Sequence, residues 1–285
     1  MKRKNNCWIG LFLTIALTAW SCSEDKDPVK TPLEISTKVI ANGGAWLRTG
    51  APQNSVASLK AAIQMGVYGS LADVQMSADS VLFVSNADSV GLLVADTTVK
   101  KILIEAAPFD SLAKIKLSNG ESLPRIQAYL NEAKSQTATR LILKIKPSKV
   151  SKSRSLQLAR KSVEAVRQAA SQSVVDYGSS DYDVCKLIRQ LEPGAKVIYL
   201  GLGKTPEELA ADQISEAGFA VEVYVGDISL IQKAHDKKLT TSTWLVNSTN
   251  LMDYLIWNKI DLIVTDEPEI LRAKIDKYSG KQLSK

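Results

Sequence analysis

Short apolar runs alternate along the chain with segments of helical spacing. "KVIA" (38–41), "GSLADVQ" (69–75), "RLILKIK" (140–146), "VVDY" (174–177), "KVIYL" (196–200), "AVEVYV" (220–225), "TTSTWLV" (240–246) and "DLIVTD" (261–266) read as strands. Helical periodicity marks 54–66, 123–135, 151–172, 181–191, 205–215, 227–238, 248–258 and a last segment from Pro268. Asn54 is the expected cap of the first helix, Gly66 its stop, and Pro124 lies in the first turn of the second. "VLFVS" (81–85) adds one strand that returns on 69–75 as a hairpin. Eight β-then-α units predict an α/β protein built as a closed (β/α)8 (TIM) barrel, with a small hairpin insertion after the second strand.

In such a barrel the chemistry sits at the C-terminal ends of the strands. Those ends are Asn42, Asp73 to Gln75, Lys144 and Lys146, Tyr177, Gly201, Tyr224, Trp244 to Asn247, and Thr265 with Asp266. Side chains alternate along a strand, so Leu71, Asp73 and Gln75 share one face, as do Ile142, Lys144 and Lys146. Helices cover the outside and claim Leu141, Leu143 and Ile145. Asp73, Lys144 and Lys146 are therefore expected to face the lumen.

The N-terminus changes the picture of where the protein resides. "MKRK" is a basic opening, and "WIGLFLTIALTAW" (8–20) is an apolar stretch too short for a comfortable membrane span. Residues 1–21 read as a signal peptide. "LTAWSC" resembles a bacterial lipobox, which implies a lipid on Cys22; the alternative is an ordinary signal with a chance cysteine. "SEDKD" (23–27) resembles the surface-export signal of Bacteroidetes lipoproteins, or is a solvated linker. The expected organisation is then a signal peptide (1–21), an acidic, proline-containing tether (22–37) and the barrel (38–285). The expected location is the bacterial cell envelope, on the outer membrane and facing the exterior or the periplasm, held by the lipid anchor alone.

Composition sets the remaining bounds. The 285-residue chain is 45% hydrophobic and 23% charged, as globular proteins are. Its formal charge of +6 falls to about +3 once Lys2, Arg3 and Lys4 leave with the signal, too little to argue for nucleic acid. Of the three cysteines only Cys185 lies within the barrel, so no disulfide forms there.

The segments "IANGGA", "APQNS", "LADVQMSADSVLFVSNAD" and "LKIKP", followed by "DYDVCKLI", "YLGLGKTPEEL", "LTTSTWLVN" and "IDLIVTDEP", together resemble the glycerophosphodiester phosphodiesterases, particularly those of Bacteroidetes. The resemblance spans about residues 38–275. It implies cleavage of a phosphodiester by two histidines with a Ca²⁺ or Mg²⁺ ion. Matched position by position, however, the family's first catalytic histidine falls on Asn42 and its phosphate-binding arginine on Gly43. The loop glutamate falls on Gln53 and the second catalytic histidine on Asn86. Of three metal carboxylates one is kept as Asp73, while the others fall on Leu71 and Lys144. The motif lysine is kept as Lys146, and Trp244, Asn247 and Asp266 match positions that shape the pocket. The sole histidine, His235, lies on a helix before the "TTSTWLV" strand and reads as a surface residue.

Asparagine does not shuttle protons near neutral pH, and a lysine ammonium repels a cation. The expectation is therefore a catalytically inactive, lipid-anchored family member with the metal site lost. An Asp73–Lys144 pair is expected to stand where the cation stood. Lys146 would then leave the pocket one net positive charge, and a small anionic ligand such as a glycerophosphate could bind among Asn42, Gln53, Asp73, Asn86, Lys144, Lys146 and Trp244. The alternative is an active phosphoric diester hydrolase with non-histidine chemistry, drawing on Asp73, Lys146, Tyr177 and Tyr224. A protein partner of unknown identity is a further expectation for this surface, and a pair that fills a dead site and binds nothing is the plain alternative.

Overall fold

The computed structural model describes residues 35–94 and 98–280. The signal segment, Cys22 and the tether as far as residue 34 lie outside the described residues. The first half runs β1 (Lys38–Asn42), α1 (Val56–Met65), β2 (Gly69–Met76), β3 (Leu82–Val84), β4 (Ser89–Val94) and β5 (Thr98–Leu103). A 3-10 turn (Ile104–Ala106) leads to α2 (Phe109–Leu112), α3 (Ile126–Ala133), β6 (Arg140–Ile145) and α4 (Lys152–Gln168). The second half runs β7 (Val175–Ser179), α5 (Tyr182–Leu191), β8 (Val197–Tyr199), α6 (Pro206–Ala211), β9 (Glu216–Ala220) and α7 (Val221–Gly226). It ends with α8 (Leu230–Asp236), β10 (Thr240–Trp244), α9 (Thr249–Trp257), β11 (Leu262–Thr265) and α10 (Pro268–Tyr278).

Eight strands, in the order β1-β11-β10-β9-β8-β7-β6-β2, pair in parallel, and β1 closes on β2. Closure leaves no free edge in this sheet, so every strand donates and accepts on both sides. The expected (β/α)8 barrel is the fold. Strand alternation divides its apolar residues into two cores. Val39, Ala41, Leu141 and Leu143 join the layer between sheet and helices, while Ile40, Leu71, Ile142, Ile198, Leu200, Leu262 and Val264 fill the lumen.

The insertion after β2 is larger than a single hairpin. β3 returns antiparallel on β2, β4 and β5 form a separate antiparallel pair, and α2 follows. A satellite core of Phe83, Ile104, Phe109, Leu112 and Leu123 holds it, with the Arg125 guanidinium 4.2 Å from the Phe109 ring centre.

Two local expectations are corrected. The cap of α1 is Ser55, whose hydroxyl accepts from Ser58 N, because Asn54 adopts φ +58° and turns elsewhere. The sixth barrel strand is Glu216–Ala220, not 220–225. The alternation of "AVEVYV" imitates a strand, but the barrel strand here needs a residue without a side chain at its inward position 218. A Cβ at Gly218 would come within 2.8 Å of Leu200 and 3.0 Å of Ser242. Val221–Gly226 is instead a helix, and Tyr224 is buried in it, donating its hydroxyl to Ala217 O at 2.9 Å.

Glu216 shares the inner face of β9 with Gly218 and is buried, with Oε1 unpaired. Burial pushes its carboxyl up to about 8, opposed by Ser242. A carboxyl with a raised folded pKa binds its proton more tightly in the folded state. Its contribution to stability is therefore full below the unfolded value near pH 4.5 and is lost as pH rises to about 8. Replacing Glu216→Gln should make the protein more stable than the parent by about 3 kcal/mol at pH 8.5, with a much smaller gain at pH 4.5. Urea unfolding at the two pH values measures the difference.

Candidate functional site

The loop after β1 turns on two glycines. Gly43 has φ +69° and Gly44 φ +87°; a Cβ on Gly43 would lie 2.5 Å from Gln53 Cγ, and one on Gly44 2.5 Å from the Ser58 backbone. Only glycine combines this backbone with this closeness. The turn presses the incoming chain against residues 53–58, where Asn54 N donates to Gly43 O (2.8 Å) and Ser58 Oγ to the same oxygen (2.8 Å).

That closure aims Asn54 at Asp73. Asn54 Nδ2 donates to Asp73 Oδ2 at 3.1 Å, and Asp73 N donates to Asn54 Oδ1 at 3.1 Å. The other carboxylate oxygen faces Lys144, with Nζ 3.1 Å from Oδ1. Asp73 and Lys144 are directly opposite in the β2–β6 register, so their distance is set by strand spacing. Asp73 is buried and Lys144 half-buried. The expected lumenal pair is present in the structure, and Asn54 completes it, a role the sequence reading assigned to helix capping.

The other polar positions bond largely to one another. Asn42 Nδ2 donates to Asp266 Oδ1 and Asn247 Nδ2 to Asp266 Oδ2, each at 2.8 Å. Asn86 Nδ2 donates to Gln53 Oε1 at 2.6 Å. Gln75 Nε2 donates to Ser85 O (2.7 Å) and Ala87 O (2.6 Å), fixing the loop that carries Asn86. Trp244 packs on the lumen core and donates Nε1 to Gly218 O at 2.9 Å. At the rim Arg48 Nε meets Glu267 Oε2 at 2.7 Å.

Lys146 departs from expectation. Its ammonium donates to Asn86 O (2.6 Å) and Asp88 Oδ1 (2.8 Å), and the contact holds the Asp88 carboxyl below its usual value. Lys146 thus brings its counter-ion with it and leaves no net positive charge. Asp88 lies in the connection between β3 and β4, where a charged residue carries no distinctive sequence signal.

Several candidates lie elsewhere. Tyr177 points outward into the helix-facing core, where burial pushes its phenol far up. Tyr224 is on α7. His235 bonds Asp261 Oδ2 at 2.8 Å at the N-terminal end of the barrel. Cys185 is buried and its thiol is pushed up to about 12 by burial, which leaves it inert at neutral pH.

The resemblance implies a divalent cation on three carboxylates. Here Asp73 is flanked by Leu71 and Lys144, and both its oxygens are engaged by Lys144 and Asn54. This donor set does not fit a hard cation, which takes six or more oxygens.

The model of the glycerophosphoryl diester phosphodiesterase family matches residues 44–270. A crystal structure of a glycerophosphodiester phosphodiesterase from Parabacteroides distasonis is similar at 32% identity and TM-score 0.78, covering 85% of this chain and 98% of that one. A phosphodiesterase from Oleispira antarctica, solved with the product sn-glycerol-3-phosphate, is 20% identical with TM-score 0.69, covering 84% and 96%. A glycerophosphodiester phosphodiesterase from Thermotoga maritima is 17% identical with TM-score 0.64, covering 84% and 98%. These last two show the fold. A search of curated proteins finds no match.

Removing one partner of a buried pair leaves the other charge uncompensated. Lys144→Ala should cost about 2 kcal/mol in urea unfolding, moderated by the half-exposure of Lys144. Adding Asp73→Asn should recover most of that loss, since the orphaned charge is then gone.

Proposed function

The chain belongs to the glycerophosphoryl diester phosphodiesterase family, and from that premise we propose that it is a member without the family's catalytic activity. The observation that carries this reading is the 3.1 Å contact between Lys144 Nζ and Asp73 Oδ1. A fixed ammonium occupies the surroundings of the one retained carboxylate of the expected metal set. Asn42 and Asn86 stand where the resemblance places the two histidines, and their amides are committed to Asp266 and Gln53. General acid–base transfer is typically worth about 10²–10⁴ in rate, and an amide supplies none of it near neutral pH. The alternative, a hydrolase working without histidine, would need a titratable group in the mouth. Of the groups it would draw on, Tyr177 and Tyr224 lie in the helix-facing core, and Asp73 and Lys146 are ion-paired with Lys144 and Asp88.

In this reading the mouth is a binding surface for a small anion of the glycerophosphate class. Support comes from Lys144, whose ammonium has three donors and a single carboxylate contact among the described residues, and from the ligand class of the Oleispira complex. Lys146 adds little, being paired with Asp88. The protein is held at the cell envelope, on the outer membrane, by a lipid on Cys22. Support for that comes from the signal-like opening and the lipobox-like "LTAWSC".

Hydrolysis of glycerophosphocholine and glycerophosphoethanolamine, assayed with and without Ca²⁺ and Mg²⁺, should stay at the level of a matched blank. Metal-dependent turnover well above it overturns the reading. Cys22→Ser should move the protein from the membrane fraction to the soluble one. A variant that still sediments with membranes argues against the anchor.

A further inference from the structure

We propose that the N-terminal end of the barrel, opposite the mouth, carries a second binding site, for a small organic phosphate. A basin of about 860 Å³ opens there between the strand starts and the ends of the surrounding helices. Lys38, Lys196, Lys238 and Arg272 line it, against two carboxylates, Asp261 and Asp276.

Both carboxylates are already engaged. Asp261 Oδ2 accepts from Thr241 N and Thr241 Oγ1, each at 2.8 Å, and contacts His235 Nε2. Asp276 lies 3.7 Å from Arg272. Among the described residues, Lys38, Lys196 and Lys238 have no carboxylate within salt-bridge distance. Lys238 follows α8, where a cation answers the negative end of the helix dipole. Lys38 opens β1 and Lys196 directly precedes β8, so neither has that explanation.

Both ammonium groups converge on one ring. Lys38 Nζ lies 5.2 Å and Lys196 Nζ 5.9 Å from the Tyr68 centroid, and Lys196 donates to the Tyr68 hydroxyl at 3.2 Å. The ring gives each ammonium a cation–π contact but no negative charge, and a bound anion would supply one. The nearby Glu216 does not do so at neutral pH, because its buried carboxyl stays largely protonated.

The ligand class follows from charge and size. A phosphate monoester carries close to two negative charges and three acceptor oxygens, matching two ammonium groups with donors to spare. The basin is far larger than a phosphate ion and lies within the range of pockets that enclose organic ligands. Val67, Leu239 and Ile275 give it an apolar wall for the organic part. The phosphate could belong to a soluble ester or to a lipid headgroup, and the chemistry at Lys38 and Lys196 is the same for both.

Calorimetric titration with sn-glycerol 3-phosphate and inorganic phosphate, and sedimentation with phosphatidylglycerol or phosphatidylcholine vesicles, test the site. The expected result is saturable binding of glycerol 3-phosphate or salt-sensitive binding of phosphatidylglycerol vesicles. Either should weaken at least tenfold in Lys38→Met/Lys196→Met and remain in Lys144→Met. Binding to the vesicles alone would make the source a lipid headgroup. In the unmodified protein, the ring signals of His235, the chain's sole histidine, should shift with saturation, which needs no variant. Absence of binding to all of these probes, or binding that Lys144→Met abolishes and Lys38→Met/Lys196→Met leaves intact, overturns the proposal.

Discussion

The arrangement of the mouth depends on one ion pair. Asp73 and Lys144 face each other across adjacent parallel strands, at a spacing the sheet itself imposes. A carboxylate buried this deeply must be compensated, and the ammonium does so while Asn54 holds the second oxygen. Once that partner is covalently part of the barrel, the carboxylate has little left to offer a mobile cation. In the proposed reading the lysine stands in for a metal ion's positive charge at any metal concentration.

The surrounding residues follow the same logic. Asn42, Gln53 and Asn86 carry amides where the resemblance places ionisable groups, and the amides of Asn42 and Asn86 each donate to a neighbouring side chain. Asn42 and Asn247 converge on Asp266, and Asn86 bonds Gln53. Such a network satisfies buried and half-buried polar groups without needing a proton to move. Gly43 completes it by letting the β1 loop close on Gln53 with no side chain between them. Even Lys146, which looked like surplus positive charge, arrives with Asp88. Lys144 keeps donors to spare beside its contact with Asp73.

How much of this was legible in the sequence depended on whether periodicity or tertiary packing fixed the residue. Strand parity in "GSLADVQ" and "RLILKIK" placed Asp73 and Lys144 on the lumenal face, since alternation in a barrel leaves two choices and the apolar set must meet the helices. The strand at 216–220 carries no strong pattern because the barrel leaves no room for a side chain at Gly218 and "EAGFA" lacks the β-branched signal that "AVEVYV" carries. Asparagine suits a helix cap, so local pattern predicts that role for Asn54. Its bond to Asp73 spans 19 residues and follows from loop closure, which no local pattern encodes. Asp88 was invisible for the same reason, its partner Lys146 lying 58 residues away.

The central claim is that Lys144 has taken the place of a metal ion, and cation binding tests it most directly. Calorimetric titration of the protein with Ca²⁺, repeated with Mn²⁺ under paramagnetic-resonance detection of the free ion, measures this without reference to any substrate. The account predicts no saturable binding of either ion through the millimolar range. Stoichiometric binding at micromolar concentration, abolished by Asp73→Asn, would contradict it.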